Sequence, residues 1–307
     1  INGDIKVTGG TPGTGKVLTS DADGLGSWQT SSGVTEIDDL SDAKTDPTSV
    51  FLGAGAGDND DGNNENTALG LFALTDNTSG HKNTAIGISA LYSNQANDAS
   101  TAVGYQSMYY ADNTTTGRTT YNTAIGYQAL MGSNIAINNT GRYNTALGSY
   151  ALLVNTSGDN NTAIGVYSLC SNTTGNENTA FGSNSLYYNT IGFDNTAFGN
   201  GALTSNIANS GSTAIGKSAM NYADNRSTGR ETHNTAVGYQ ALMGSTTAVD
   251  NSGRYNTAVG SDALTNNTSG SNNTANGYLS LNSNTTGEKN TALGISSLQY
   301  NTIGTNN

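Results

Sequence analysis

Nine residues, Asn122-Thr123-Ala124-Ile125-Gly126-Tyr127-Gln128-Ala129-Leu130, set the pattern for most of this chain. The motif is Asn-Thr-Ala, an apolar residue, Gly, two variable residues, a small residue, then Leu or Met. It opens at Asn66, Asn83, Ser100, Asn122, Asn144, Asn161 and Asn178, and again at Asn195, Ser212, Asn234, Asn256, Asn273 and Asn290. The steps are 17, 17, 22, 22, 17 and 17 residues, and the same six then repeat. A fixed period of this size is the signature of a solenoid or array. Seventeen residues before Asn66, Ser49-Val50-Phe51-Leu52-Gly53 is a degenerate copy in phase with the rest, as expected of a capping coil. Seventeen residues after Asn290 is Asn307, where a fifteenth copy would open; with Ile1 in first place, the expectation is a piece of a longer protein.

Seventeen residues cannot bury themselves, so each coil must stack on its neighbours. In the coil from Asn66, Thr67-Ala68-Leu69 reads as a strand ended by Gly70, and two strands with two turns are expected to make one flattened coil. Leu69 and Leu74 are read as the inward, stacking apolar positions. Ala68 and Ala73 stay small, which implies a close backbone neighbour. Asn77-Thr78-Ser79-Gly80 is a turn, and the Asn at this corner recurs at Asn155, Asn172, Asn267 and Asn284, a pattern that can form a hydrogen-bonded ladder. Fourteen coils at ~4.8 Å give a rod of about 65–70 Å. So thin a roll is expected to leave an alanine-rich face for a partner, most simply in a parallel homotrimer. The reading is therefore all-β: a parallel β-solenoid, or β-roll, of about fourteen 17/22-residue coils. Residues 1–48 form a Gly-rich connector and strand region, 49–65 the capping coil and 66–307 the array.

Composition narrows the function. The hydrophobic fraction is 34% and the charged fraction 11%, too little of either for a thick globular core or for typical disorder. Of the net charge of −12, residues 1–65 carry −9, which leaves the array near neutral with no basic patch; nucleic-acid binding is not expected. No run approaches the ~18 apolar residues of a membrane span. The lone Cys170 has no internal disulfide partner and reads as incidental.

Four coils, opening at Ser100, Asn122, Ser212 and Asn234, carry five extra residues after the Leu or Met. Insertions at one place in every coil map to one face of a solenoid, often the binding face. A shift of 112 residues superposes 66–195 on 178–307, so the two halves act as an internal control. Retained in both are Tyr110 and Tyr222, Asp112 and Asp224, and Arg118 and Arg230, along with Gln128/Gln240, Arg142/Arg254 and Tyr143/Tyr255. Tyr110, Asp112, Arg118, Tyr222, Asp224 and Arg230 are the receptor-contact candidates, since Arg and aromatics dominate binding hot spots. The competing reading is that they pin the loops or neighbouring chains, with each Asp ion-paired to its Arg.

Outside the array, Ile5-Lys6-Val7 and Lys16-Val17-Leu18 look like strands, Trp28 like the anchor of a local cluster, and Leu40 to Pro47 like a polar connector. Gly10-Thr11-Pro12-Gly13-Thr14-Gly15-Lys16 has the spacing of a phosphate-binding loop, but Val17 stands where Ser or Thr would hold magnesium, so no nucleotide is expected. Asp58, Asp60, Asp61 and Glu65 form the densest acidic cluster and the one weak calcium candidate; Gly62 comes one residue early for an EF-hand, which favours a solvated acidic turn. The histidines His81 and His233 correspond to Phe193 and Tyr121 in the other half, so no triad or metal site is repeated. One retained acid per half is short of a glycosidase pair. No catalytic residue, cofactor or enzyme activity is expected.

The motif resembles the head repeats of trimeric autotransporter adhesins, whose shorter repeats form a trimeric left-handed parallel β-roll. It resembles more fully the Asn-Thr-Ala-[apolar]-Gly-Tyr-Gln-Ala-Leu arrays of phage tail-fibre-like proteins and bacterial surface proteins. In those, an opening like Gly10-Thr11-Pro12-Gly13-Thr14-Gly15-Lys16-Val17-Leu18-Thr19-Ser20-Asp21 precedes the array, and a self-cleaving intramolecular chaperone often closes the protein. The resemblance implies a structural fibre or adhesin-like rod outside the cell or on a phage-like particle. It would be joined to a tail or baseplate, or to an outer-membrane anchor, and would display surfaces to a glycan or protein receptor. An ice-binding solenoid and a tailspike-type glycan depolymerase are the alternatives. A file of Thr67, Thr84 and Thr101 beside Ala lacks the Thr-x-Thr pairs of a flat ice face.

A last expectation concerns Asn276, the one polar residue at the motif's fourth position. If that position faces inward, an unpartnered amide there costs about 1–3 kcal/mol, and Asn276→Ile should raise thermal stability.

Overall fold

The fold was read from a computed structural model, which describes the backbone of 7–9, 16–20, 26–30 and 43–45, and residues 48–307 except 111–115, 136–137, 223–226 and 248–250. Strands β1 (Val7–Gly9), β2 (Lys16–Ser20) and β3 (Gly26–Thr30) form a small sheet in the order β1-β3-β2. The side chain of Trp28 and the Gly10–Gly15 loop lie outside the described residues.

The other described strands make one fifteen-stranded sheet, to which each coil gives one three-residue strand. These run from β5 (Val50–Leu52) and β6 (Thr67–Leu69) to β18 (Thr291–Leu293), each parallel and in register with the next. From β6 onward threonine pairs with threonine and alanine with alanine, for example Thr145↔Thr162 and Ala146↔Ala163, whereas β5 sets Val50 and Phe51 against Thr67 and Ala68. The fold is thus an all-β parallel solenoid of repeating coils. Its first edge is covered by β4 (Ala43–Thr45), antiparallel to β5, within the stretch expected to be a plain connector. A paired edge strand is one way to blunt a template for aggregation. Lys44 sits over the Phe51 ring at 5.5 Å and donates to the carbonyls of Gly57 and Asp60.

The expected second strand is replaced by a left-handed turn segment that still bonds from coil to coil. In the coil from Asn66, Gly70, Phe72 and Leu74 all have positive φ. The amides of Gly70 and Phe72 donate back to Leu52 and Ala54, whereas those of Leu74, Asp76 and Thr78 donate forward to Ala90, Tyr92 and Gln95. The backbone polar groups of a thin coil are thereby paired, as burial demands. A non-glycine residue at positive φ costs about 1–2 kcal/mol, and burial of Leu74 in the roll offsets it. Glycine is required at the corner: a Cβ on Gly70 would lie 2.7 Å from the Gly87 carbonyl of the next coil.

The inward face of the strand is the alanine, not the larger apolar residue. Ala68, Ala85, Ala124, Ala146 and their equivalents are fully buried inside a single chain, packed with Ala73-type and Leu74-type residues of the turn wall. Leu69, Ile86, Ile125, Leu147, Phe181, Phe198 and Ile215 face outward and are 37–50% exposed. This corrects two expectations. Each coil buries one large stacking side chain, not two, and the alanine-rich face needs no outside cover. Asn276 is exposed on the same outer file, level with Val259 and Leu293, so no amide is buried there.

Two asparagine ladders close the roll. At the opening position, Asn66 Oδ1 accepts from the Asn83 amide at 2.8 Å, and Asn83 Oδ1 from the Ser100 amide. At the turn corner, Asn172 Nδ2 donates to Asn155 Oδ1 at 2.7 Å and Asn189 Nδ2 to Asn172 Oδ1 at 2.9 Å. Both kinds also hold a corner carbonyl, as Asn161 and Asn172 hold that of Gly175.

Candidate functional site

The insertions and the edge to which they return are where the array departs from monotony. Central residues of all four insertions, Asp112 and Asp224 among them, lie outside the described residues. Tyr110 and Tyr222 are half-buried, and each backbone carbonyl accepts from the side-chain amide of the next insertion, Asn139 or Asn251. Asn139 and Asn251 also bond Ser133 and Ser245, so these amides pin each insertion to the one before. The retained tyrosines therefore serve the loop frame through their main chain.

The long coils also interrupt the corner ladder. Asn94 and Asn206 donate to the coil before, but the coil after each is long and has no Asn at that corner. Their Oδ1 atoms are buried without a partner among the described residues, and the two residues line equivalent small cavities of about 30 Å³. A cavity of that size has room for one or two waters.

Each insertion rejoins the wall through short bridges. Arg118 and Arg230 accept at their carbonyls from the Asp98 and Ser210 amides, and Thr120 and Thr232 donate back to the same residues. These bonds set the half-buried side chain of each Arg beside the Arg of the following coil. In the first half, burial lowers the pKa of Arg118, the like charge of Arg142 lowers it further, and Asp159 opposes both. Asp159 holds Arg142 twice, accepting from its amide at 2.7 Å and lying 3.9 Å from its guanidinium.

The second half is built differently at this place. Ser271 stands where Asp159 would be, and its hydroxyl accepts from the Arg254 amide at 3.1 Å. Phe193 replaces His81 and Ile191 replaces Ser79. The result is a surface groove of about 540 Å³ with Ile191 and Phe193 on one side and Arg230, Arg254 and Tyr255 on the other. Arg230 donates to the Asn251 carbonyl at 3.4 Å, and Glu231 is drawn to His233 at 3.1 Å. His233 in turn stacks on Tyr255. Of the described candidates read from sequence, Arg230 lines this groove; Arg254 and Tyr255 were visible as retained residues. Ile191 and Phe193 come from another coil, and their only sequence signal was the mismatch between the halves.

The acidic cluster is divided in role. Asp60 is buried, and its carboxylate accepts from the Gly62 amide and from the side chains of Asn64, Asn66 and Asn77 at 2.8–3.1 Å. It takes the place that an Asn Oδ1 fills elsewhere and starts the corner ladder, while the opening ladder starts at Ser49, whose hydroxyl accepts from the Asn66 amide at 3.1 Å. Asp58 and Asp61 are exposed, and Glu65 pairs loosely with Lys82 across the surface. Among the described residues no three His, Cys, Asp or Glu gather so as to hold a metal ion, and no helix is long and apolar enough to cross a membrane. Neither a protein-family model, nor a curated protein, nor a solved structure matches the chain.

Proposed function

We propose that the chain is the shaft of a self-associating surface fibre or adhesin, in which three parallel copies share an axis and the insertion edges carry the attachment surfaces. The observation that carries this reading is the outward apolar file, from Leu69 through Ile125 and Phe181 to Leu293. Exposed apolar patches of this extent mark interaction sites. The file has a second flank beyond the glycine corner, with Leu71, Phe72, Ile88, Tyr105 and Tyr127 also exposed. A corner apolar on both flanks meets a different neighbour on each, and a ring closed that way around the rod has at least three members. Asn ladders and a continuous hydrogen-bonded wall suit a load-bearing role more than a catalytic one, and no enzyme activity is assigned. The setting is the cell exterior or a phage-like particle, with a tail, baseplate or outer-membrane anchor as the mounting and a glycan or protein as the receptor. Sedimentation of the intact chain at micromolar concentration tests the assembly: a trimer is expected, and a folded monomer would overturn it. Attachment is tested by binding of the labelled trimer to a panel of bacterial cells, and its absence from every cell type would overturn the adhesive role.

A further inference from the structure

The corner ladder is broken twice, and the two breaks have the same pair of ends. On the near side, Asn94 and Asn206 use both side-chain hydrogens, one on the corner Asn of the coil before and one on their own turn carbonyl, at 2.8–3.2 Å. Their Oδ1 atoms have no partner among the described residues. On the far side, past two long coils without a corner Asn, Asn155 and Asn267 donate from Nδ2 to one carbonyl each, that of Gly158 or Gly270 at 2.9 Å. Asn172 and Asn284 donate to two acceptors, the second being Oδ1 of the corner Asn before. The four end residues are at most 3% exposed and line the two small cavities. Each break thus has a buried acceptor at one end and a spare side-chain hydrogen at the other. We propose that each cavity is a binding site for ordered water, which takes the place of the missing amides. The water donates to Asn94 or Asn206 Oδ1 and accepts, directly or through a second water, from Asn155 or Asn267 Nδ2. The site lies within one chain, so it does not depend on assembly or attachment.

Polarity, charge and size select water over an ion. A metal cation suits the Asn oxygen but is repelled by the amide hydrogens at the far end, and an anion meets the reverse conflict. Water both donates and accepts. No charged side chain lines either cavity, so an ion there would be buried without a counter-charge, at high cost. A volume of about 30 Å³ holds one or two waters, and polar cavities of that size are hydrated. A hydroxyl pair on each wall, Ser100 with Thr120 and Ser212 with Thr232, offers further partners. Every lining residue has the same residue 112 positions away, although the outer surface nearby has changed, with Ser271 for Asp159 and Phe193 for His81. Tyr110 and Asn139 line the first cavity and also pin its insertions. Water there joins the ladder to the insertion frame, so that an insertion leaves the corner without stranding the amides on either side.

The test uses the full chain in two ways. A high-resolution crystal structure should show, in both cavities, an oxygen peak about 2.5–3.0 Å from Asn94 Oδ1 and from Asn206 Oδ1. A crystal soaked in rubidium chloride should show no anomalous peak there. In solution, oxygen-17 magnetic relaxation dispersion reports water that stays bound as the protein tumbles. Asn94→Leu removes the acceptor of one cavity and should lose the amplitude of that cavity's water. The double variant with Asn206→Leu should lose twice as much. Circular dichroism checks that the variants are folded, and the crystal of the parent decides if they are not. Cavities without density or a rubidium peak at either site would overturn the water site, as would folded variants whose dispersion matches that of the parent.

Discussion

At the residue scale, Asp60 shows how one carboxylate can begin a ladder of amides. Later corner asparagines, such as Asn94, donate to the corner asparagine of the coil before, whereas the capping coil offers Asp60 at that corner, and one of its oxygens, Oδ2, accepts from both Asn66 and Asn77. Asp60→Ala leaves the donors of Asn66 and Asn77 with fewer acceptors and should cost on the order of 3 kcal/mol. In a stacked array that cost is local. Hydrogen exchange should therefore speed up in residues 50–82 and stay unchanged beyond the middle of the rod. Uniform protection in the variant would mean that Asp60 does not anchor the ladder. Cys170 is a second case. Burial pushes its thiol up to about 11, so the fold opposes the thiolate. Its folded pKa lies above the unfolded value, so the chain should be unaffected below about pH 8.5, the ordinary thiol value, and lose stability as pH rises towards 11. Iodoacetamide at pH 8 should alkylate the native protein at least tenfold more slowly than the denatured one, as mass spectrometry would read.

At the element scale, the outward file changes what Asn276 does. Its side chain is exposed, and Asn276→Leu should leave the melting of an isolated chain within about 0.5 kcal/mol of the parent. In the proposed trimer the same change would make the apolar file continuous, so dissociation on dilution should require a lower protein concentration. A polar residue in an apolar seam fixes register at a cost in affinity, and slipped assemblies should become more frequent in the variant, as cross-linking at matched positions would report. The period, the strand limits, the glycine corner and the asparagine ladder were all legible in the sequence, because each repeats at a fixed spacing. Which side of the strand faces inward was not. Thr-Ala-Leu alternates, so hydrophobicity alone turns Leu69 inward; the interior was already filled by Leu74 from the opposite wall, which leaves room only for Ala68. The retained arginines of the insertions were legible from the duplication, but the groove was not, since its apolar side arrives from the coil of Phe193.

At the scale of the whole molecule, rigidity and association draw on different atoms. The roll is held by main-chain bonds, alanines and asparagines that a single chain satisfies within itself, while the outer file adds little to the fold of one chain. Burying the remaining half of an exposed Ile or Leu contributes on the order of 1 kcal/mol. One such contact is weak, but the file repeats it at nearly every coil, so association grows with the length of the rod. A single charge in the file should therefore be tolerated and several spaced ones should not. Ile86→Glu, Ile125→Glu and Ile215→Glu together place three like charges per chain at the proposed shared axis, where each would meet its own copies. The expected result is a folded monomer in sedimentation, with unchanged β-sheet circular dichroism, because these side chains are 37–39% exposed and stand outside the interior packing. A triple variant that unfolds would show that the file also supports the single chain. One that stays trimeric would place the shared axis on a different face of the rod.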